Sequence, residues 1–233
     1  MKKILVAIVC IVSTLMANDP LIDDLNTLNI IKDNQIHLLK VQDLGNIYLI
    51  NGEPTRVPEG QTKKPFNFFV TKDKKILIMG DAIYTGTKEK VSFPMEKSMI
   101  AGKEAFIYGT GKEVVYLFTD PQCPYCKEFE KVLPTLKDKY TFKVYLFPLP
   151  FHADAVPMSK WILKGTDGNQ MGERLIAIAN GSIEYKNLVL TPEEDKQLMQ
   201  KITTLINVAE EAGVRGTPTV LDADLNKVNW PSL

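Results

Sequence analysis

Short apolar runs and helical patterns alternate along the second half of the chain. Residues 114–119 and 142–147 are almost continuously apolar, which is typical of strands covered on both faces of a parallel sheet. Between them, residues 123–137 show a helical pattern, which Pro134 is expected to kink. The order strand, helix, strand predicts a β-α-β unit and therefore an α/β domain.

Further helices and two more strands complete this half. The predicted elements are helices at 153–164 and 169–179, a long helix from a capping box at Thr191–Glu194 to Gly213, and strands at 219–221 and 226–230. The helices that follow residue 147 form a helical insertion before the sheet resumes.

The first half has weaker patterns that are rich in strands. We predict a short amphipathic helix at 19–28, strands at 35–42, 46–50, 66–70 and 76–79, a loop at 51–65, and a continuing or edge strand at 81–85. Residues 92–104 have a helical pattern, and 106–112 form a connector with two glycines. The resulting prediction is a small α+β unit at 18–91, a linker helix with connector at 92–112, and the α/β domain at 113–233.

The first 17 residues have the pattern of a secretory signal. Lys2 and Lys3 precede an apolar run at 4–16, and Ala17 offers a cleavage site. The run is too short to span a membrane comfortably. Lipidation at Cys10 is a less favoured alternative. A two-lysine start is typical of bacterial export signals, so we expect the mature protein in the periplasm.

Length and charge narrow the range of functions. At 233 residues, the chain is long enough for one large or two small domains. Lysine plus arginine and aspartate plus glutamate number 28 each. Removal of Lys2 and Lys3 with the signal leaves 26 basic against 28 acidic residues, a net charge of −2. We therefore expect no nucleic-acid partner.

Two cysteines at the start of the predicted helix are the strongest candidates for chemistry. The strand at 114–119 runs through a short turn into the motif Cys123-Pro124-Tyr125-Cys126. Two cysteines separated by two residues, where a helix follows a strand, are typical of a redox-active dithiol. We therefore interpret Cys123 and Cys126 as the catalytic pair of a thiol–disulfide oxidoreductase.

The position in the helix predicts different roles for the two thiols. Cys123 falls at or near the N-cap, and Pro124 suits the first helical position. The unpaired N–H groups and the positive dipole end of the first turn favour a thiolate at Cys123, the dipole by about 0.3–1 kcal/mol. Cys126 lies one turn further in, so we expect it to be more buried and to act as the resolving thiol.

An inert disulfide and half of a zinc site are the competing interpretations. A disulfide across so short a loop constrains the unfolded chain little. Zinc needs four ligands, and Cys10, His37 and His152 are the remaining cysteine and histidines. We expect no metal and no cofactor.

The order of elements resembles a thioredoxin fold with a helical insertion. The segments VVYLFTDPQCPYCKEFE, YLFPLP and GVRGTPTV bring the match closer. With a small exported α+β unit and a linker helix in front, the mature chain resembles the DsbC/DsbG family of periplasmic disulfide isomerases. The sequence CPYC is also like the DsbG branch of that family.

This resemblance implies specific roles. Cys123 attacks and Cys126 resolves, while Thr217 and a cis Pro218 face them and bind substrate; Pro124 and Tyr125 complete the active-site motif. A cis bond before proline costs only about 0.5–1 kcal/mol, and an extended substrate could pair with the Thr217 backbone. The alternative is that residues 216–218 form a plain turn before a strand.

The sequence also departs from the thioredoxin pattern. Thioredoxin has a buried aspartate six residues before its first cysteine, where this chain has Leu117. Asp120 is interpreted as a turn residue and His152 as an ordinary loop histidine. The chain stops three residues after Trp230, so the last helix of the fold is missing or one sheet face is thinly covered.

The resemblance implies isomerisation or reduction of wrong disulfides in exported proteins with cysteines. Net oxidation of dithiols by the same residues, and chaperone-like binding of unfolded exported chains, stay open as alternatives. The implied redox partner is a membrane thiol reductase of the DsbD type, or an oxidase. The implied assembly is a homodimer built through residues 18–91, a unit small enough to gain from association.

Overall fold

The computed structural model of the protein describes residues 20–60, 63–88 and 90–233. The predicted signal sequence at 1–17 lies outside these residues. The chain divides into two compact units, Met1–Phe93 and Pro94–Leu233, called here the first and the second unit. Within the described residues, no helix combines the length and the apolar character needed to cross a membrane.

The first unit contains two short helices and an antiparallel sheet. Its elements are α1 (Pro20–Leu25), α2 (Asn29–Asp33), β1 (Ile36–Asp43), β2 (Ile47–Pro54), β3 (Phe66–Thr71) and β4 (Leu77–Met79). The four strands are antiparallel neighbours in the order β1-β2-β3-β4. One face of the sheet packs with the helices around Leu25, Ile50 and Phe68, so alternate strand residues form the core.

The sequence predicted the strands of this unit better than its helices and loops. Strand β2 continues to Pro54, into the predicted loop at 51–65. Helix α2 was not predicted, although Ile31 in it is buried. Residues 81–85 contribute an isolated bridge between Ile83 and Lys90 instead of the predicted edge strand.

The second unit is built on a mixed sheet. Its elements are α3 (Lys97–Ile100), β5 (Phe106–Tyr108), β6 (Glu113–Thr119), α4 (Pro124–Glu130), α5 (Leu133–Leu136), β7 (Tyr140–Leu146), α6 (Ala155–Leu163), α7 (Gly168–Ala179), α8 (Pro192–Glu211) and β8 (Thr219–Leu221). The strand order is β5-β7-β6-β8. Strands β6 and β7 are parallel, and the two outer strands run antiparallel to their neighbours.

The parallel pair forms the centre of the core, which confirms the predicted β-α-β unit. Leu117, Phe118, Phe142 and Val144 are fully buried. Residues 115–119 of β6 and 144–146 of β7 are buried at successive positions, which explains why the pattern there does not alternate between apolar and polar residues. The helix between them is broken into α4 and α5, and Pro134 stands in the first turn of α5. The predicted kink is therefore a complete interruption.

The predicted linker helix at 92–104 is wrong in its extent. Helix α3 has only four residues, Lys97–Ile100. The predicted connector at 106–112 contains β5, which pairs with β7 as part of the central sheet. Gly111 in this segment lies so close to the backbone that an added Cβ would be 1.9 Å from the Lys139 carbonyl carbon. Any larger residue at Gly111 would clash.

The predicted final strand at 226–230 is also wrong. The chain forms an isolated bridge between Leu221 and Lys227 and then a 3-10 helix, Trp230–Ser232. The ring of Trp230 packs against Phe129 of α4, with 5.2 Å between centroids. This contact covers Phe129, a fully buried residue of the core of the second unit.

The start of the long helix is confirmed. The Glu194 N–H donates to Thr191 Oγ1, and the Glu194 carboxylate accepts from the Thr191 N–H, as a capping box requires. This backbone bond, followed by the hydrogen bond from Lys164, lowers the pKa of Glu194 to about 2.

Candidate active site

The two cysteines lie at the junction of β6 and α4, as the sequence predicted. Cys123 is the N-cap residue with an extended backbone, and Pro124 is the first helical residue. The Cys123 N–H donates to the Asp120 carbonyl at 3.0 Å, and the Lys127 N–H donates to the Cys123 carbonyl at 3.1 Å. The turn therefore fixes the Cys123 backbone at the start of the helix, where the first N–H groups point outward.

Thr217 and Pro218 lie beside Cys123, although 94 residues separate Thr217 from it in sequence. The Cys123 Sγ is 3.6 Å from the Thr217 carbonyl oxygen, and the Thr217–Pro218 peptide bond is cis. The structure thus brings together the two segments that the sequence singled out. What these residues do for a substrate stays a prediction.

Cys126 is deeper than Cys123. It is completely buried, and its Sγ accepts a hydrogen bond from the Asp120 N–H at 3.5 Å. Burial raises the pKa of the Cys126 thiol strongly, and the nearby Glu130 carboxyl raises it further. Hydrogen bonds to the sulfur, including the one from Asp120, act in the opposite direction. Cys126 is therefore held as a neutral thiol.

The two residues between the cysteines face solvent. Pro124 is exposed, and the Tyr125 side chain is among the most exposed aromatic groups, with 74 % of the residue accessible. A large exposed ring two residues after Cys123 is available to contact another molecule.

Glu130 is an acidic residue of the site that the sequence analysis missed. It lies one turn after Cys126 on α4 and is completely buried. The Thr119 hydroxyl donates to Glu130 Oε1 at 2.6 Å, and Oε2 has no hydrogen-bond partner among the described residues. The pKa of Glu130 is raised to about 8, mainly by burial. The hydrogen bond from Thr119 lowers this pKa, and the Asp120 charge raises it further.

A pattern in the sequence could have revealed Glu130. In thioredoxin the buried acid lies on the strand, at the position that Leu117 occupies in this chain. The acid comes instead from the helix, four residues after Cys126 and one after Phe129, and so on their buried face.

Asp120 is more than the turn residue that the sequence suggested. Its Oδ1 accepts from the Gln122 N–H at 2.8 Å, which is the expected turn bond. Its Oδ2 accepts from the Leu149 N–H and contacts His152 Nδ1, both at 2.7 Å. His152 therefore belongs to the surroundings of the dithiol, and its interpretation as an ordinary loop histidine is wrong. Both residues follow neighbouring parallel strands, whose carboxyl ends meet at one edge of the sheet.

The arrangement provides a thiol at the helix start that is 5 % exposed, a completely buried thiol one turn behind it, and a buried carboxyl. Across the parts of the chain that the structure describes, no three histidine, cysteine, aspartate or glutamate side chains are grouped to hold a metal ion. Cys123 and Cys126 are free thiols. Such a pair can exchange with a disulfide through a mixed-disulfide intermediate.

Comparison with known proteins supports the predicted fold. The family model described as a thioredoxin-like domain matches residues 105–226, slightly more than half of the chain. The predicted fold class, a thioredoxin-like α/β domain preceded by a small sheet unit, is confirmed. No curated protein matches the sequence.

Several solved structures are similar at low identity. The thiol-disulfide exchange protein α-DsbA2 of Wolbachia pipientis is 15 % identical with a TM-score of 0.44, covering 58 % of this chain and 86 % of its own. A periplasmic thioredoxin-like protein of Salmonella enterica serovar Typhimurium is 20 % identical with a TM-score of 0.43, covering 58 % and 89 %. DsbG of Helicobacter pylori is 15 % identical with a TM-score of 0.40, covering 86 % and 99 %. Likenesses at this level say nothing about activity.

Proposed function

Because the chain belongs to the thioredoxin-like domain family, we propose that it exchanges thiols and disulfides in exported proteins through Cys123 and Cys126, as an isomerase or reductase. One observation carries the proposal. Cys123 caps a helix beside the Thr217 carbonyl, while Cys126 lies buried one turn behind it. The Cys123 sulfur at the helix start can attack a substrate disulfide. The Cys126 sulfur behind it can then attack the mixed disulfide and complete the exchange.

The first chemical step joins the protein to its substrate. The Cys123 thiolate attacks one sulfur of a substrate disulfide, the S–S bond breaks, and the other substrate sulfur leaves as a thiolate. The product is a mixed disulfide between Cys123 and the substrate. The helix start favours the attacking thiolate, and dipole effects of this kind are worth about 0.3–1 kcal/mol.

Two outcomes follow from the mixed disulfide. In isomerisation, another substrate thiolate attacks the substrate sulfur, forms a new substrate disulfide and releases Cys123 as a thiolate. In reduction, Cys126 loses its proton and attacks Cys123 Sγ, which forms the Cys123–Cys126 disulfide and releases the second substrate thiolate. Burial raises the pKa of the Cys126 thiol, and a protonated thiol is a poor nucleophile, so the first outcome can compete with the second.

Substrate binding uses the surface around Cys123. We infer that an extended substrate segment lies along the Thr217–Pro218 segment, where backbone groups can bind it without reading its sequence. The exposed Tyr125 ring contacts apolar side chains next to the substrate cysteine. This mode suits an enzyme that acts on many exported proteins.

The redox state in the cell separates this proposal from its main alternative. We place the protein in the periplasm with a membrane thiol reductase of the DsbD type as its partner. An isomerase or reductase is then found mostly reduced at Cys123 and Cys126 when cells are acid-quenched and alkylated. A protein found mostly oxidised is instead a net oxidase that depends on an oxidase partner.

A homodimer through the first unit is the assembly that we propose. Strand β4 ends the sheet order and carries Ile78 and Met79, which are 44 % and 63 % exposed, and Ile83 nearby is 62 % exposed. An apolar strand at a sheet edge is a ready surface for pairing with a second copy.

Light scattering of the mature chain is therefore expected to give a dimer mass at micromolar concentration. The variant Ile78→Lys puts a charge on the β4 edge and is expected to shift the mass toward the monomer. The control Ile183→Lys changes an isoleucine of the second unit that is 63 % exposed and is expected to leave the mass unchanged. A monomer mass for the unmodified protein contradicts the proposed assembly.

A further inference from the structure

The turn that carries the dithiol is tied to the segment after β7 by a contact between the buried Asp120 carboxylate and the partly exposed His152 ring. We propose that His152 is a positioning residue for the dithiol: it holds the Asp120 carboxylate in place and offsets its charge, so that Cys123 reacts as a thiolate. This inference rests on the proposed thiol–disulfide exchange. Neither residue was assigned a role in the exchange from the sequence.

The main chain of Asp120 contacts both cysteines. Its N–H donates to Cys126 Sγ at 3.5 Å, and its carbonyl accepts from the Cys123 N–H at 3.0 Å. A displacement of Asp120 therefore changes the hydrogen bonding of both active-site residues at once. Whatever fixes Asp120 also fixes the geometry of the dithiol.

The Asp120 carboxylate is held by three donors. Asp120 is completely buried, and its oxygens contact the Gln122 N–H at 2.8 Å and the Leu149 N–H and His152 Nδ1 at 2.7 Å. The Gln122 side chain adds a further tie, because its Oε1 accepts from the Asp154 N–H at 2.7 Å. Gln122 and Leu149 contact this carboxylate through main-chain N–H groups, which a side-chain substitution does not remove. His152 contacts it through its side chain, so a substitution at His152 removes that contact.

Charge gives His152 a second effect. A buried carboxylate disfavours further negative charge nearby, including a thiolate. The Asp120 charge raises the pKa of Glu130 on α4, and the charge of Lys127 on the same helix lowers it. His152 faces Asp120 from the β7 side, and its side chain is 18 % exposed. Removing it leaves the carboxylate with less compensation beside the dithiol.

The experiment measures the redox equilibrium of the dithiol and the reactivity of Cys123, and not only the stability of the fold. Reduced protein is equilibrated with glutathione redox buffers, and the rate of Cys123 alkylation by iodoacetamide is followed at pH 7. In His152→Ala, we expect roughly a threefold to tenfold shift of the equilibrium toward the Cys123–Cys126 disulfide, with a similar fall in alkylation rate, because a less compensated carboxylate nearby disfavours the thiolate of the reduced protein. His152→Asn keeps a donor and is expected to show a smaller shift in the same direction.

Two further variants show whether the effect comes from Asp120. The double variant Asp120→Asn, His152→Ala removes the uncompensated charge and is expected to return the equilibrium toward that of the unmodified protein. His37→Ala removes the exposed histidine of the first unit and is expected to change neither measurement. If His152→Ala does not fold, His152→Asn and the double variant carry the test.

A purely structural role for His152 would overturn the inference. It would lower the melting temperature of His152→Ala while the glutathione equilibrium and the alkylation rate stay at the values of the His37→Ala control. The proposed function fails separately, because then the unmodified protein itself would form no Cys123–Cys126 disulfide in the glutathione buffers.

Discussion

Replacing Cys123 with serine is expected to abolish disulfide exchange, whereas replacing Cys126 with serine is expected to leave a protein that traps its substrate. The reason is the difference in position. Cys123 caps α4 next to the Thr217 carbonyl, and Cys126 is buried behind it. Without Cys123, no sulfur at the helix start can attack. Without Cys126, the mixed disulfide forms but has no internal route of release.

The measurement is the reduction of a disulfide-bonded protein such as insulin, together with non-reducing gels of the reaction mixture. Cys123→Ser is expected to fall to the level of buffer alone. Cys126→Ser is expected to show a covalent adduct that disappears when dithiothreitol is added. Thr135→Ala, on the exposed side of α5, serves as a control that keeps full activity. Adducts with Cys123→Ser and none with Cys126→Ser would reverse the assigned roles.

Replacing Glu130 with glutamine is expected to change how stability depends on pH. The folded state raises the pKa of this carboxyl to about 8, from an ordinary value of about 4.3. Its protonated form therefore stabilises the folded state fully below the ordinary pKa, and this stabilisation is lost as the pH rises through 8. Each pKa unit corresponds to about 1.4 kcal/mol, so the loss amounts to a few kcal/mol. Glutamine cannot ionise and does not show it.

Urea denaturation of the reduced protein at pH 5 and pH 9 measures this effect. Relative to the unmodified protein, Glu130→Gln is expected to gain a few kcal/mol of unfolding free energy between the two pH values. Glu128→Gln on the same helix is the matched control, because its side chain is 64 % exposed, and it is expected to show no such gain. An equal difference from the unmodified protein at both pH values would mean that Glu130 is already ionised when folded.

The position of the cysteine pair at a strand–helix junction could be predicted because its signals are local. A strand, a turn and a helix start with two cysteines lie within a few residues of one another, and the apolar runs beside them identify the parallel strands. Thr217 and Pro218 are far away in sequence and became candidates only through the family resemblance. Local patterns alone do not show that the Cys123 sulfur lies 3.6 Å from the Thr217 carbonyl oxygen.

The acidic residues around the pair needed the strand order and the helix face. Glu130 shares a face with Cys126, which the helical period could have shown. The pairing of Asp120 with His152 follows from two strands being parallel neighbours, because only then do the segments after them meet. The sequence around Asp120 and around His152 contains no pattern that indicates a functional role. Each residue taken by itself was therefore interpreted as an ordinary turn or loop residue.

The wrong elements show where tertiary contacts override a local pattern. The helical spacing of Met95, Met99 and Ile100 predicted a long linker helix, but α3 ends at Ile100. The Ile100 carbonyl accepts from the Tyr145 hydroxyl at 2.7 Å, and Ile100 itself is buried in the core of the second unit. Trp230 likewise suggested a strand and instead packs on Phe129.

The most direct test of thiol–disulfide exchange is a count of the disulfide bonds formed and broken in a single turnover. Reduced protein is mixed with a small excess of a disulfide-bonded substrate, quenched with acid, alkylated and mapped by mass spectrometry. We expect one Cys123–Cys126 disulfide to form for each substrate disulfide that is reduced, with Cys123 as the residue in any mixed disulfide. An unchanged substrate disulfide with both cysteines still alkylated as thiols would contradict this expectation.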